Sequence, residues 1–249
     1  MVNLSLSMGL ALLASGSQFG TGGMQDVGGP FNSQRPTFSG TPFSLPQGVL
    51  QFEAGATFQQ GDGDETLLRF PELLLRYGLS GGLEAQLGFP DYFVFNNGFD
   101  AEGWGGAMIA VKFQIAGAPS GFTAALRPRM SIDTDGLFSP TQNRFGLDIP
   151  WIYSAPGMQR PLFGSVTFND EENDDIFGIN VGINLDQMSG WMPFIEYGGA
   201  FQKNFAPSHL LHFGGQRLQG NGAFDIHFGF GLTKNAPDWF IGAGFVGRL

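Results

Sequence analysis

The chain has 249 residues and a net charge of −10, with 42% hydrophobic but only 14% charged residues, against roughly 25% charged in ordinary soluble domains. The acidic balance excludes a nucleic-acid partner held through its phosphates, which takes clustered Lys and Arg. The lack of cysteine excludes a disulfide framework and a thiolate metal site, while Gly (40) and Phe (27) are both far above usual.

Residues 4–14 (LSLSMGLALLA) form a short apolar run, followed by the small Ser15, Gly16 and Ser17. That order suits the core and cleavage zone of a signal peptide over residues 1–17, although the first basic residue is only Arg35. Residues 18–47 are rich in Gly, Pro, Ser and Gln and read as an extended lead-in, not a domain. Residues 48–249 read as one β domain.

Strands are predicted over 48–60, 67–80, 83–95, 104–117, 121–133, 143–154, 160–169, 175–187, 191–203, 209–217, 223–233 and 238–249. Two of them show the pattern plainly. In 177–186, Phe177, Ile179, Val181, Ile183 and Leu185 alternate with Gly178, Asn180, Gly182, Asn184 and Asp186. In 224–232, Phe224, Ile226, Phe228, Phe230 and Leu232 alternate with Asp225, His227, Gly229 and Gly231. Period two is a strand signal, with one bulky apolar face and one small or polar face.

The odd connections (QQGDGDET, NNGFDAEGWGG, DTDGLFSPTQN, NDEENDD, KNFAPSH, TKNAPD) are longer or more polar than the even ones (LSGG, AGAPSG, SAPGMQR, DQMSG, LQGNG). Trp104, Trp239 and Tyr92 lie toward the odd end of the strands, and Trp151, Trp191, Tyr77 and Tyr153 toward the even end. Two aromatic belts and alternating loop lengths are marks of an outer-membrane barrel. The predicted fold is therefore all-β: an antiparallel up-and-down transmembrane β-barrel of about twelve strands. A soluble β-sandwich shows the same alternation. Against it stand the sparse charge and a polar parity too short for a solvated exterior. A barrel of this width holds water unless residues 16–47 plug it.

The segments RPTFSGTPFSLPQGVLQFEAGATF (35–58), PELLLRYGLSGGLEAQLGF (71–89) and NAPDWFIGAGFVGRL (235–249) resemble the bacterial family labelled "putative MetA-pathway of phenol degradation", over about residues 33–249. The resemblance implies an outer-membrane barrel of transporter type and uptake of aromatic compounds. It supplies no catalytic residues. The last strand ends on an apolar residue, Leu249, as in the C-terminal signal read by barrel-assembly machinery. The partners expected are outer-membrane lipid, that machinery and a small-molecule solute.

If the small parity faces a lumen, Glu53, Glu72, Arg76, Glu84, Lys112, Arg127, Arg129, Asp148, Asp186, Glu196, Asp225 and His227 line it. Lys112, Arg127 and Arg129 sit on neighbouring strands and suggest a basic wall opposite acidic strands. Such charges either set solute selectivity across a pore or pair with one another and close the barrel; both readings stay open. The acidic runs NDEENDD and GDGDE suit divalent cations but lack the spacing of a cation-binding loop, and read as solvated loops. Catalysis is not expected. No G-x-S-x-G elbow or H-E-x-x-H motif occurs, and Ser208 and His209 point to opposite faces as strand neighbours; Ser131 and His227 would meet only through barrel closure. No cofactor is implied. The expected function is a passive outer-membrane channel for small, aromatic or hydrophobic, solutes; the alternatives are a structural barrel with a closed lumen and a soluble sandwich.

Overall fold

The computed structural model describes residues 33–117, 121–172 and 174–249. The signal-peptide segment and the lead-in as far as residue 32 lie outside the described residues. The described chain forms strands β1 (Leu50–Gln60), β2 (Thr66–Phe70), β3 (Leu74–Ser80), β4 (Leu83–Gly88), β5 (Tyr92–Asn96), β6 (Asp100–Trp104), β7 (Ala107–Ala116) and β8 (Phe122–Ile132). It continues with β9 (Arg144–Tyr153), β10 (Leu162–Asn169), β11 (Ile176–Asn184), β12 (Trp191–Gln202), β13 (Ser208–Gln219), β14 (Gly222–Gly231) and β15 (Trp239–Arg248).

All these strands pair antiparallel with their neighbours in one sheet, and β15 returns to pair with β1 from Gln51↔Arg248 to Gln60↔Trp239. The ring is a closed 12-strand barrel, because β2 with β3, β4 with β5 and β6 with β7 are each two halves of one barrel strand. The sequence predicts unbroken strands over 67–80 and 83–95 and one that begins only at 104, so β6 falls in the segment expected as the loop NNGFDAEGWGG. The structure interrupts them at residues 71–73, 89–91 and 105–106, where prolines (Pro71, Pro90) and the pair Gly105–Gly106 cannot sustain the ladder. Backbone hydrogen bonds still stitch the breaks together: Gly55 N–H to Pro71 O (2.8 Å), Phe89 N–H to Leu73 O (2.9 Å) and Gly105 N–H to Asp91 O (2.8 Å).

Which parity is buried decides between barrel and sandwich. Phe177, Val181, Phe224, Ile226 and Phe228 are among the most exposed large side chains, at 42–50%. Between them, Asn180, Asp225 and His227 are buried. A soluble sandwich buries its greasy face; this molecule presents that face outward and turns its charges inward, as a barrel wrapped by lipid does. The sandwich reading fails on this inversion. Aromatic residues gather toward the strand ends of the outer face: Trp239 beside Phe58 (ring centroids 5.5 Å) and Tyr92 beside Trp104 (5.1 Å).

Candidate functional site in the barrel interior

Because side chains alternate along each strand, every strand delivers its small and polar parity to the interior. Eleven of the twelve residues singled out from sequence are buried there; the exception is Asp186. It shares the inward parity of β11, but that strand ends at Asn184. Asp186 therefore sits in the following turn, exposed and paired with Arg160 at 2.5 Å.

The basic wall expected from Lys112, Arg127 and Arg129 does not stand bare. Arg127 Nε and Arg129 Nε both donate to Asp148 Oδ2, at 2.9 and 3.1 Å, and Arg129 also donates to Asn169. Lys112 Nζ lies 3.4 Å from Glu84, whose carboxylate also accepts from Arg76 Nε at 2.7 Å. Register explains the meeting: Arg127↔Asp148 and Glu84↔Lys112 are cross-strand partners. Buried charge is costly unless paired, and here the pairing comes from adjacent strands.

The opposite side of the interior is built differently. Residues 33–45 of the lead-in, which belong to no strand, run inside the barrel and are mostly buried. Wall carboxylates hold their main chain. Glu53 accepts the Gln34 and Arg35 N–H groups (2.9 and 3.1 Å). Glu196 accepts the Phe38 N–H (2.9 Å) and the Ser39 hydroxyl. Glu84 accepts the Leu45 N–H at 2.8 Å. Lys112 donates to the carbonyls of Phe43 (2.6 Å) and Thr41 (3.4 Å). Four of the sequence-named residues thus read peptide backbone, a role nothing in their strand pattern announces.

Arg35 is the side-chain anchor. Its guanidinium pairs with Glu72 and lies 3.3 Å from Asp225 and 3.2 Å from the Ala243 carbonyl. Glu72 stands in the β2–β3 break at φ 47°, a region that a side chain enters only when its surroundings hold it. Its carboxylate is held from the other side by Arg69 Nε at 2.9 Å. Among the described buried residues, seven acids (Glu53, Glu72, Glu84, Asp91, Asp148, Glu196, Asp225) match seven bases (Arg35, Arg69, Arg76, Lys112, Arg127, Arg129, Arg144). Arg35 supplies the balancing charge from off the wall.

His227 Nδ1 meets His212 Nε2 at 3.1 Å, and His212 Nδ1 meets Glu196 at 3.0 Å. His212 is packed by the rings of Phe38, Phe194 and Phe240 at 4.3, 5.0 and 5.3 Å. Sequence reasoning named His227 but missed His212, Arg69, Asp91, Arg144 and Arg35. His212 was findable, since it shares the inward parity of its strand, and Arg144 likewise shares that of Asp148. Arg69 lies on the parity opposite Arg76 and turns inward only because the phase slips at Pro71. Arg35 was signalled only by the surplus of carboxylates on the strands it faces. As the strand geometry requires, Ser208 points inward and is buried, while the His209 ring bonds the Tyr197 hydroxyl at 2.5 Å on the other face.

Solved barrels share this architecture. An outer membrane channel from Pseudomonas putida matches with a TM-score of 0.61 at 12% identity, over 84% of this chain and 98% of that one. The NanC porin matches at 0.55 and 11% identity, over 80% and 100% of the two chains. The translocator domain of the autotransporter NalP from Neisseria meningitidis matches at 0.50 and 8% identity, over 82% and 90%. At these identities the likeness is one of fold. No protein-family model matches the sequence, and no curated protein matches it; the resemblance to the phenol-degradation family rests on the quoted segments alone.

Proposed function

We propose that this chain is a passive outer-membrane channel, held closed by its own residues 33–45. The observation that carries the reading is how the lumen is filled. The occupant joins no ladder of the closed sheet, and wall side chains hold it (Glu53, Glu84, Lys112, Glu196). It can therefore leave without opening the barrel, exposing a lumen lined by charge. Twelve strands enclose an interior wider than wall side chains alone fill, so the removable segment is what stops it. The outward apolar face fits lipid, and β15, which closes the ring on β1, is the strand an assembly machine would take.

A polar, charge-lined lumen favours small polar solutes. A second reading keeps the aromatic solutes implied by the phenol-degradation resemblance, and the ring cluster of Phe194, Phe240 and His212 favours it. The test is the full chain in liposomes and planar bilayers, beside the double variant Glu53→Gln, Glu196→Gln, which weakens the hold on the segment. The variant should conduct more than the parent and swell liposomes in small polar solutes. A folded variant no more permeable than protein-free membrane would sink the channel reading. Faster entry of phenolic than of polar solutes of equal size would favour the second.

A further inference from the structure

Arg35 lies across the seam where the barrel closes. Gly55 of β1 and Gly244 of β15 face each other in the register, and Asp225 of β14 faces Gly244 from the other side. A Cβ at Gly55 would stand 2.3 Å from Arg35 Cζ, and one at Gly244 would stand 2.2 Å from Arg35 Nε. The two glycines thus make a floor on which the planar guanidinium rests, where any side chain would displace it.

Acceptors meet all three nitrogens of the fork. Glu72 takes Nη1, Asp225 takes Nε and Nη2, and the Ala243 carbonyl takes Nη2. An ammonium cannot reach three acceptors spread in this way; a guanidinium does so in one geometry. The cation comes from outside the wall, although β15 runs directly beneath it and contributes only Gly242 and Gly244 at that level. Without Arg35 the seven buried acids face six buried bases, so the vacated seat attracts a cation.

We infer that the β1–β15 seam, floored by Gly55 and Gly244 and walled by Glu72 and Asp225, is a guanidinium-binding site of the lumen, filled here by Arg35 and open to a small guanidinium-bearing solute when the segment withdraws. The inference deepens the channel reading and takes its physiological meaning from it, but its binding test does not depend on conduction.

The full chain carrying Arg35→Ala is refolded in detergent, and its thermal transition is followed by heat-modifiable gel migration. Ethylguanidinium supplies the atoms the variant lacks; ethylammonium at the same millimolar concentration is the control. Ethylguanidinium should restore at least half of the lost transition temperature and ethylammonium should not. The rescue should vanish when Asp225→Asn is added. Should Arg35→Ala fail to fold alone, refolding in ethylguanidinium but not in ethylammonium supports the site. Rescue that is equal with both cations, or absent with both, overturns it. Rescue in a barrel that never conducts would retain the site and remove the channel reading.

Discussion

The two sides of the barrel interior neutralise their charges in different ways. Around β8 and β9, Arg127 and Arg129 are closed by Asp148, a residue of the wall itself. Around the β14–β15–β1 seam, Asp225 is closed by Arg35, a residue of an inserted segment, which also shares Glu72 with Arg69 of the wall. A charge paired within the ladder stays paired as long as the barrel exists. A charge paired to a segment outside the ladder is paired only while the segment stays. The first side is therefore architecture and the second is a latch. Glu84 and Lys112 stand at the boundary, pairing with each other and also holding Leu45 and Phe43.

The largest effect expected from breaking this contrast is at Asp148. Replacing it by Asn leaves two buried guanidinium groups without their carboxylate, and removing one partner of a buried pair costs about 3–5 kcal/mol. Asp148→Asn should lower barrel stability by that order in urea titrations, without raising conductance, because the segment is not touched. A gain in conductance would mean that the β8–β9 side also belongs to the latch.

A smaller effect is expected at Glu196, which serves the latch by accepting from Phe38 and Ser39 and also meets His212. Glu196→Gln should cost roughly 1–3 kcal/mol, the order for buried hydrogen-bonding groups left unsatisfied. Unlike Asp148→Asn, it should raise single-channel conductance. Stability loss with unchanged conductance would erase the distinction between the two sides.

The smallest effect is expected outside the interior. The hydrogen bond from Arg160, together with its charge, holds the Asp186 carboxyl below its ordinary value. A lowered folded-state pKa contributes stability that is present above the unfolded value and lost as pH falls through the folded one. The small melting difference between the parent and Arg160→Ala at neutral pH should therefore vanish on acidification through the aspartate range. A difference that persists at pH about 2, below the ordinary aspartate value, would show that Arg160 acts by packing and not by charge.

Much of the barrel was legible in the chain because strand geometry is local. Side chains alternate with period two wherever a strand forms, so Phe224, Ile226 and Phe228 declare an outward face and Asp225 and His227 an inward one. The interruptions in the second, third and fourth barrel strands were less legible. The alternation slips by one residue at Pro71 and at Pro90: inward positions pass from Leu67 and Arg69 to Leu74 and Arg76, and from Glu84 and Gln86 to Phe93 and Phe95, a slip that a single unbroken strand does not allow for. Asp186 illustrates the limit of parity: it keeps the inward phase of β11 but lies beyond the strand's last paired residue, so phase alone misplaced it.

By itself the sequence determined the fold class, the direction each face points along the unbroken strands and ten of the fourteen buried charges, since these follow from residue type and period along one strand. Only the tertiary structure decided which charges meet. Closure of β15 on β1 brings Gly244 beside Gly55, residues far apart in the chain. The insertion of residues 33–45 carries Arg35 to Glu72 and Asp225. No local pattern encodes either event: both depend on the diameter and register of the closed ring, which place one segment's cation against carboxylates from the two ends of the sheet.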